Sequence, residues 1–106
     1  MSLTEAPNVL LLEGEIDLHV SPDVAASLQR RIDDQHARIV VDLTGVTYID
    51  SSGLAVLITA VNDVESYGGR LMLSGMQETV RAMVAAAGLS RFFLSFPHTD
   101  AALAAR

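Results

Sequence analysis

The chain has 106 residues, the length of one domain, and no cysteine, which excludes disulfide staples and thiolate zinc sites. Half of the residues are hydrophobic and only 3 are proline, a composition that opposes disorder. The net charge is −6, all 7 basic residues are arginine, and no basic run is longer than Arg30-Arg31, which argues against nucleic-acid binding through phosphate neutralisation. No apolar run approaches the ~20 residues needed to cross a bilayer, and no signal-like segment opens the chain. The expectation is one soluble, cytoplasmic domain over residues 1–106, whose acidic surface suits a basic protein partner.

In chain order, the segment before Asn8 has the makings of a short edge strand, which Pro7 weakens. Asn8 to Gly14 is an apolar run ended by glycine and reads as a strand. The period then changes. Ser21 is placed as an N-cap, Pro22 as the first helical residue and Asp23 as the acid that complements the helix dipole. Val24, Leu28 and Ile32 share one face of that helix, which Asp33-Asp34-Gln35 ends without a glycine. Arg38 to Thr44 is β-branched and nearly continuous, as suits a strand covered on both faces of a parallel sheet.

After the segment Tyr48-Ile49-Asp50-Ser51-Ser52-Gly53, a stripe of Leu54, Leu57, Ile58, Val61 and Val64 marks a second helix, closed by Gly68-Gly69. Val56 and Ala60 lie off this stripe, free either to widen a surface or to pack on a neighbouring helix. Arg70 to Ser74 is a further strand. A third helix carries Val80, Met83, Val84 and Ala87 on one face, with Gly88 placed to end it. A short strand within Arg91 to Phe96 and a short terminal helix, one that can fray, complete the pattern. Alternation of strand and helix favours α/β layers with a mainly parallel sheet and right-handed crossovers.

Chemistry concentrates at Asp50-Ser51-Ser52-Gly53. The simplest role is capping, in which a serine oxygen accepts a free helix N–H and stabilises by about 1 kcal/mol. Two serines exceed the need of one cap, and a strand-to-helix loop is exposed to partners. Asp50 has the reach to orient a serine hydroxyl. A phosphoryl group on Ser51 adds about −1.5 to −2 charge, which a helix N-terminus tolerates but a docked interface beside an acid does not. Hydrolase and phosphate-loop motifs are absent, and His19, His36 and His98 lack metal spacing. Glu15 and Asp17 have no evident acid–base partner, and Met72, Met76 and Met83 read as core filler.

The segments Leu12 to Pro22, Val40 to Leu57 and the glycine-ended Val80 to Leu89 together resemble the STAS domain of bacterial anti-sigma factor antagonists, with matching spacing from about Val9 to Leu103. The resemblance implies a single α/β domain with a mainly parallel sheet of about 4–5 strands and helices largely on one face. It implies a non-enzymatic switch without cofactor or metal. The unphosphorylated form binds an anti-sigma factor that is a serine kinase and frees a sigma factor; phosphorylation lowers that affinity and a serine phosphatase restores it. By motif position the acceptor is Ser51, and Asp17, Asp50, Ser52, Gly53 and Leu54 are the partner-binding residues. Ala55 departs from the family, where glycine is frequent. The alternative use of the same domain is an unphosphorylated scaffold subunit in a lipid-transport or stress-signalling assembly.

Overall fold

A computed structural model describes residues 2–5 and 8–105. A single five-stranded sheet is built in simple sequence order, β1 (Ser2–Glu5), β2 (Val9–Ile16), β3 (Arg38–Ile49), β4 (Arg70–Ser74) and β5 (Leu94–Phe96). The β1–β2 pair is antiparallel and the other three pairs are parallel. Strands added in one direction and joined by right-handed crossovers place their connecting helices on one face. Here those helices are α1 (Ser21–Asp33), α2 (Ser51–Ser66) and α3 (Glu78–Ala86).

Alternation along the strands separates two cores. Leu10 and Leu12 of β2, Ile39, Val41 and Leu43 of β3, and Leu71 and Leu73 of β4 face α1, α2 and α3, which contribute Val24, Leu28, Leu54, Leu57, Val61, Val64, Val80 and Val84. Val40 and Met72 point the other way and meet Ala102 of α4 (Thr99–Ala104). Three helices therefore cover one face and a short fourth covers part of the other. Full burial of each Leu, Ile or Val contributes about 1.5–3 kcal/mol, so the first core dominates stability.

The short terminal helix is held at both ends. Thr99 donates to the Asp42 carboxylate at 2.7 Å and shares a 2.8 Å hydrogen bond with buried Ser74. At the other end the Arg38 guanidinium donates to the carbonyls of Ala102 and Ala105. Burial acts to raise the Asp42 carboxyl, but hydrogen bonds from Thr44 and Thr99 outweigh it and hold the group below its ordinary value.

Several elements differ from their sequence-based expectation. The edge strand weakened by Pro7 forms over Ser2–Glu5, because β2 offers it a complete antiparallel ladder. Strand β3 runs five residues past Thr44, to Ile49. Gly45, the first residue past the expected strand end, sits within the ladder opposite Glu13, where the β2–β3 register shifts. Helix α1 begins after a Val20 cap that makes no side-chain bond, and Ser21 is buried inside its first turn rather than capping it. Gln35 ends α1 in the left-handed region at φ 51°, a position usually held by glycine. In α2, Ala60 is buried and Val56 packs against the core, so packing on a neighbour is the role the structure supplies. Ile58 is only partly buried. Ala87, expected on the packed face of α3, is exposed just beyond its end.

Candidate functional site at the carboxyl edge of the sheet

Parallel strands bring their carboxyl ends to one edge, where the following helices begin. This is where α/β sheets place their working loops. Strand β4 pairs with β3 only as far as Asp42, so the last turns of β2 and β3 project beyond it as a two-stranded ribbon. The ribbon ends in register at Ile16 and Ile49, and the Asp50 amide donates to the Ile16 carbonyl at 3.1 Å. That bond ties the loop after β2 to the start of α2. It sets Asp17, the residue after Ile16, in the same corner as Asp50 and Ser51.

Asp50 is the N-cap of α2. Its extended backbone, at φ −96° and ψ −176°, turns one carboxylate oxygen toward the helix. That oxygen accepts from the Ser52 amide at 2.9 Å, the Gly53 amide at 3.1 Å and the Ser52 hydroxyl at 2.5 Å. Chiefly the Ser52 hydroxyl and then the Gly53 amide hold the carboxyl below its ordinary value of 3.8. The Ser52 and Leu18 amides act in the same direction, while partial burial opposes them. The cap is therefore a charged carboxylate and not a serine oxygen.

The two serines consequently part. Ser52 is half-buried with its hydroxyl committed to Asp50. Ser51, the first residue of α2, is exposed, and among the described residues its hydroxyl has no hydrogen-bond partner. Asp50 orients a serine, as its position in the sequence suggests, but that serine is Ser52. The helix dipole and the adjoining amides make the Ser51 position tolerant of added negative charge.

Gly53 and Leu54 lie inward. A Cβ on Gly53 would stand 2.7 Å from Ile49 Cγ1 and 2.9 Å from Ile16 Cγ2. Glycine here lets α2 sit directly on the ends of β2 and β3, which fixes the height at which Ser51 is displayed. Leu54 is buried in the main core below it. Asp17 is half-buried and governs the next helix: its Oδ1 accepts from His19 N at 3.0 Å and Val20 N at 3.3 Å. The structure thus gathers Asp17, Asp50, Ser51 and Ser52 at one edge, with Gly53 and Leu54 beneath them.

Leu18 was not singled out from the sequence. It is 70 % exposed and lies two residues beyond Ile16, whose carbonyl accepts from the Asp50 amide. The available signal was an apolar residue between the polar Asp17 and His19 in a turn where Gly, Asn, Asp and Ser are the usual choices. Among the described residues no group of His, Asp or Glu is placed to hold a metal ion, and no helix is long and apolar enough to cross a membrane.

This sheet, with three helices on one face and, among the described residues, an unbonded serine hydroxyl at the start of α2, defines an α/β architecture whose helix starts are displayed at one edge. The chain belongs to the STAS domain family, whose model matches residues 1–102. It is 30% identical over 81 residues to the anti-sigma-B factor antagonist of Listeria monocytogenes, covering 76% of this chain and 71% of that protein. To the anti-sigma F factor antagonist of Lysinibacillus sphaericus it is 26% identical over 93 residues, covering 87% and 80%. Among solved structures its fold is similar to the anti-sigma factor antagonist SpoIIAA in its unphosphorylated form, with TM-score 0.77, 23% identity and coverage of 94% and 90%. The phosphorylated Bacillus SpoIIAA superposes with TM-score 0.70 at 22% identity, covering 94% of each chain.

Proposed function

We propose that this chain is an anti-sigma factor antagonist that works as a phosphorylation-controlled binding switch in the cytoplasm, without catalysis of its own. In this reading the unphosphorylated chain binds an anti-sigma factor serine kinase and so releases a sigma factor. Phosphorylation of Ser51 weakens that complex, and a serine phosphatase reverses it. Asp17, Asp50, Ser51 and Ser52 form the contact edge, with Gly53 and Leu54 setting its position. The observation that carries the reading is the exposed, unbonded hydroxyl of Ser51 beside a cap that Asp50 already fills. Relatives named as anti-sigma factor antagonists support the partner class.

The chemistry is a simple transfer. Ser51 Oγ attacks the terminal phosphorus of a nucleotide held by the kinase, the bond to the leaving diphosphate breaks, and the hydroxyl proton is lost. The product carries about −1.5 to −2 charge. On the free chain that charge sits at a helix N-terminus and leaves the fold in place. In the complex it adds bulk and repulsion next to Asp50 and Asp17.

The test is to recover the partner with the full chain as bait, purify it, and incubate both with ATP. One phosphoryl group mapped to Ser51, absent in Ser51→Ala, is the expected result, together with loss of binding in Ser51→Asp. A stable complex that leaves Ser51 unmodified, and that Ser51→Asp binds equally well, would defeat the switch and fit a scaffold subunit.

A further inference from the structure

The turn between β2 and α1 holds an apolar side chain that packs in neither core of the described residues. Leu18 is 70 % exposed, more than Leu94 at 49 %, Leu103 at 40 % or Phe92 at 38 %. Isolated exposed leucines are ordinary, and exposure alone assigns them no role. What separates Leu18 is its mounting. On its carboxyl side, Asp17 Oδ1 accepts the amides of His19 and Val20, and the Asp17 carbonyl accepts those of Val20 and Ser21 at 3.2 and 2.9 Å. On its amino side, the Ile16 carbonyl accepts at 3.1 Å from the amide of Asp50, the cap of the helix that displays Ser51. Neither a left-handed backbone nor a core contact calls for leucine here, since the described positive-φ residues lie elsewhere and Leu18 is absent from both cores.

From this mounting we infer that Leu18 is the apolar anchor of the partner interface, a specificity-determining contact that seats Ser51 in the partner's nucleotide cleft. The inference rests on the switch proposed above and adds the residue that gives it affinity. A backbone held on a bonded turn needs little further ordering on docking, so the apolar area of the side chain it carries converts efficiently into binding. Anchors of this kind fill a pocket at the centre of an interface and are ringed by polar contacts. The acids close to Leu18 in the chain are exposed Glu15 and Asp23 and half-buried Asp17, and the bond from the Asp50 amide to Ile16 adds Asp50 at the same edge. The partner surface that fits is an apolar pocket with a basic rim beside a bound nucleotide. Because Asp50 is bonded through its amide to the Ile16 carbonyl and through its carboxylate to the Ser52 and Gly53 amides, the turn that carries the anchor and the helix start that carries the acceptor are tied together before binding.

The experiment measures affinity by calorimetry between the full chain and the purified anti-sigma factor identified in the preceding test. Leu18→Ala is expected to bind at least about fivefold more weakly with an unchanged melting temperature, while Leu18→Met stays close to wild type. Leu103→Ala, an equal truncation on α4 across the sheet, is the control and leaves affinity unchanged. A loss below about fivefold for Leu18→Ala, or an equal loss for Leu103→Ala, overturns the anchor. Wild-type chain that binds no ATP-dependent serine kinase marks failure of the switch itself. Wild-type binding without dependence on Leu18 marks failure of this inference alone.

Discussion

Two helices of this chain begin with a serine at the same edge of the sheet, and the serines meet opposite fates. Ser21 opens α1 and is 5 % exposed; Ser51 opens α2 and is exposed with a free hydroxyl. Each follows an aspartate that serves the start of its helix. Asp17 stands four residues ahead of Ser21 and turns the chain back, so the helix begins with its serine folded inward. Asp50 stands immediately ahead of Ser51 and occupies the amides itself, so the serine is pushed out. The lesson is that spacing between acid and serine, together with the strand end on which the helix rests, decides which hydroxyl is available. A rule based on serine at a helix start would choose both.

The largest expected contrast comes from placing a carboxylate at each position. Ser21→Asp introduces a charge at a nearly dry site and is expected to lower stability by about 2–4 kcal/mol, seen as a drop in melting temperature. Ser51→Asp is expected to shift stability by no more than about 0.5 kcal/mol while weakening the complex with the kinase. With the purified kinase and ATP, label is expected on Ser51 and none on Ser21. Label at Ser21 in folded protein would dissolve the distinction.

Next in size is the glycine under Ser51. Gly53→Ala gains helix propensity of about 1 kcal/mol but must fit a methyl group into the contact with Ile49 and Ile16. Overpacking of that kind costs typically about 1–3 kcal/mol, so a net loss of stability in denaturant melts is expected. The same change at Gly45 meets the Cγ of exposed Glu13, which rotation about the Cα–Cβ bond can swing toward solvent, and is expected to be milder. A larger loss at Gly45 than at Gly53 would show that the seat of α2 does not constrain the displayed serine.

The cap of α2 also responds to acid. The Asp50 carboxyl is held below its ordinary value by the Ser52 hydroxyl and the Gly53 amide, so its ionised form is favoured in the folded state. Its contribution is complete above the unfolded value, near 3.9, and is lost as pH falls through the lower folded value. Asp42, fastened to α4, follows the same sign. Asp50→Asn, which retains an acceptor oxygen, is expected to lower the melting temperature at pH 7 and to flatten its fall below about pH 4. An unchanged acid limb in this variant would remove Asp50 from the titration.

Much of this was legible from residue patterns. Period changes marked the three main helices, the continuous apolar run Ile39-Val40-Val41 announced a doubly covered strand, and Gly88 ends α3 at φ 76° as its position implies. The Asp50-Ser51-Ser52-Gly53 corner was identifiable, but the allocation of roles inside it was not. Which of two adjacent hydroxyls meets a carboxylate depends on how α2 is seated on the strand ends, and that seat includes Ile16, which is distant in sequence, as well as the neighbouring Ile49. The length of β3 was hidden for a similar reason. Gly45 signals a turn locally, but pairing with β2 across a register shift carries the strand through it. Leu18 stayed invisible because exposure is a tertiary property.

The smallest expected effect lies at the far end of α1 and serves to isolate the serine edge from general stability. Gln35 holds a left-handed conformation at φ 51°, and its amide and that of His36 donate to the carbonyls of Ile32 and Arg31 at 2.9 and 3.1 Å. The bonds are those of a glycine stop, made by a residue whose Cβ resists the conformation. Gln35→Gly removes that resistance but loosens the unfolded chain, and the net gain is expected to be about 0.5–1 kcal/mol. Affinity for the partner and labelling of Ser51 should not move, because this end of α1 lies a full helix away from Asp17 and Leu18. A change in binding that tracked the gain in stability would mean that the edge is not preset by its own hydrogen bonds, and that the contrast between Ser21 and Ser51 depends on how firmly α1 as a whole is held.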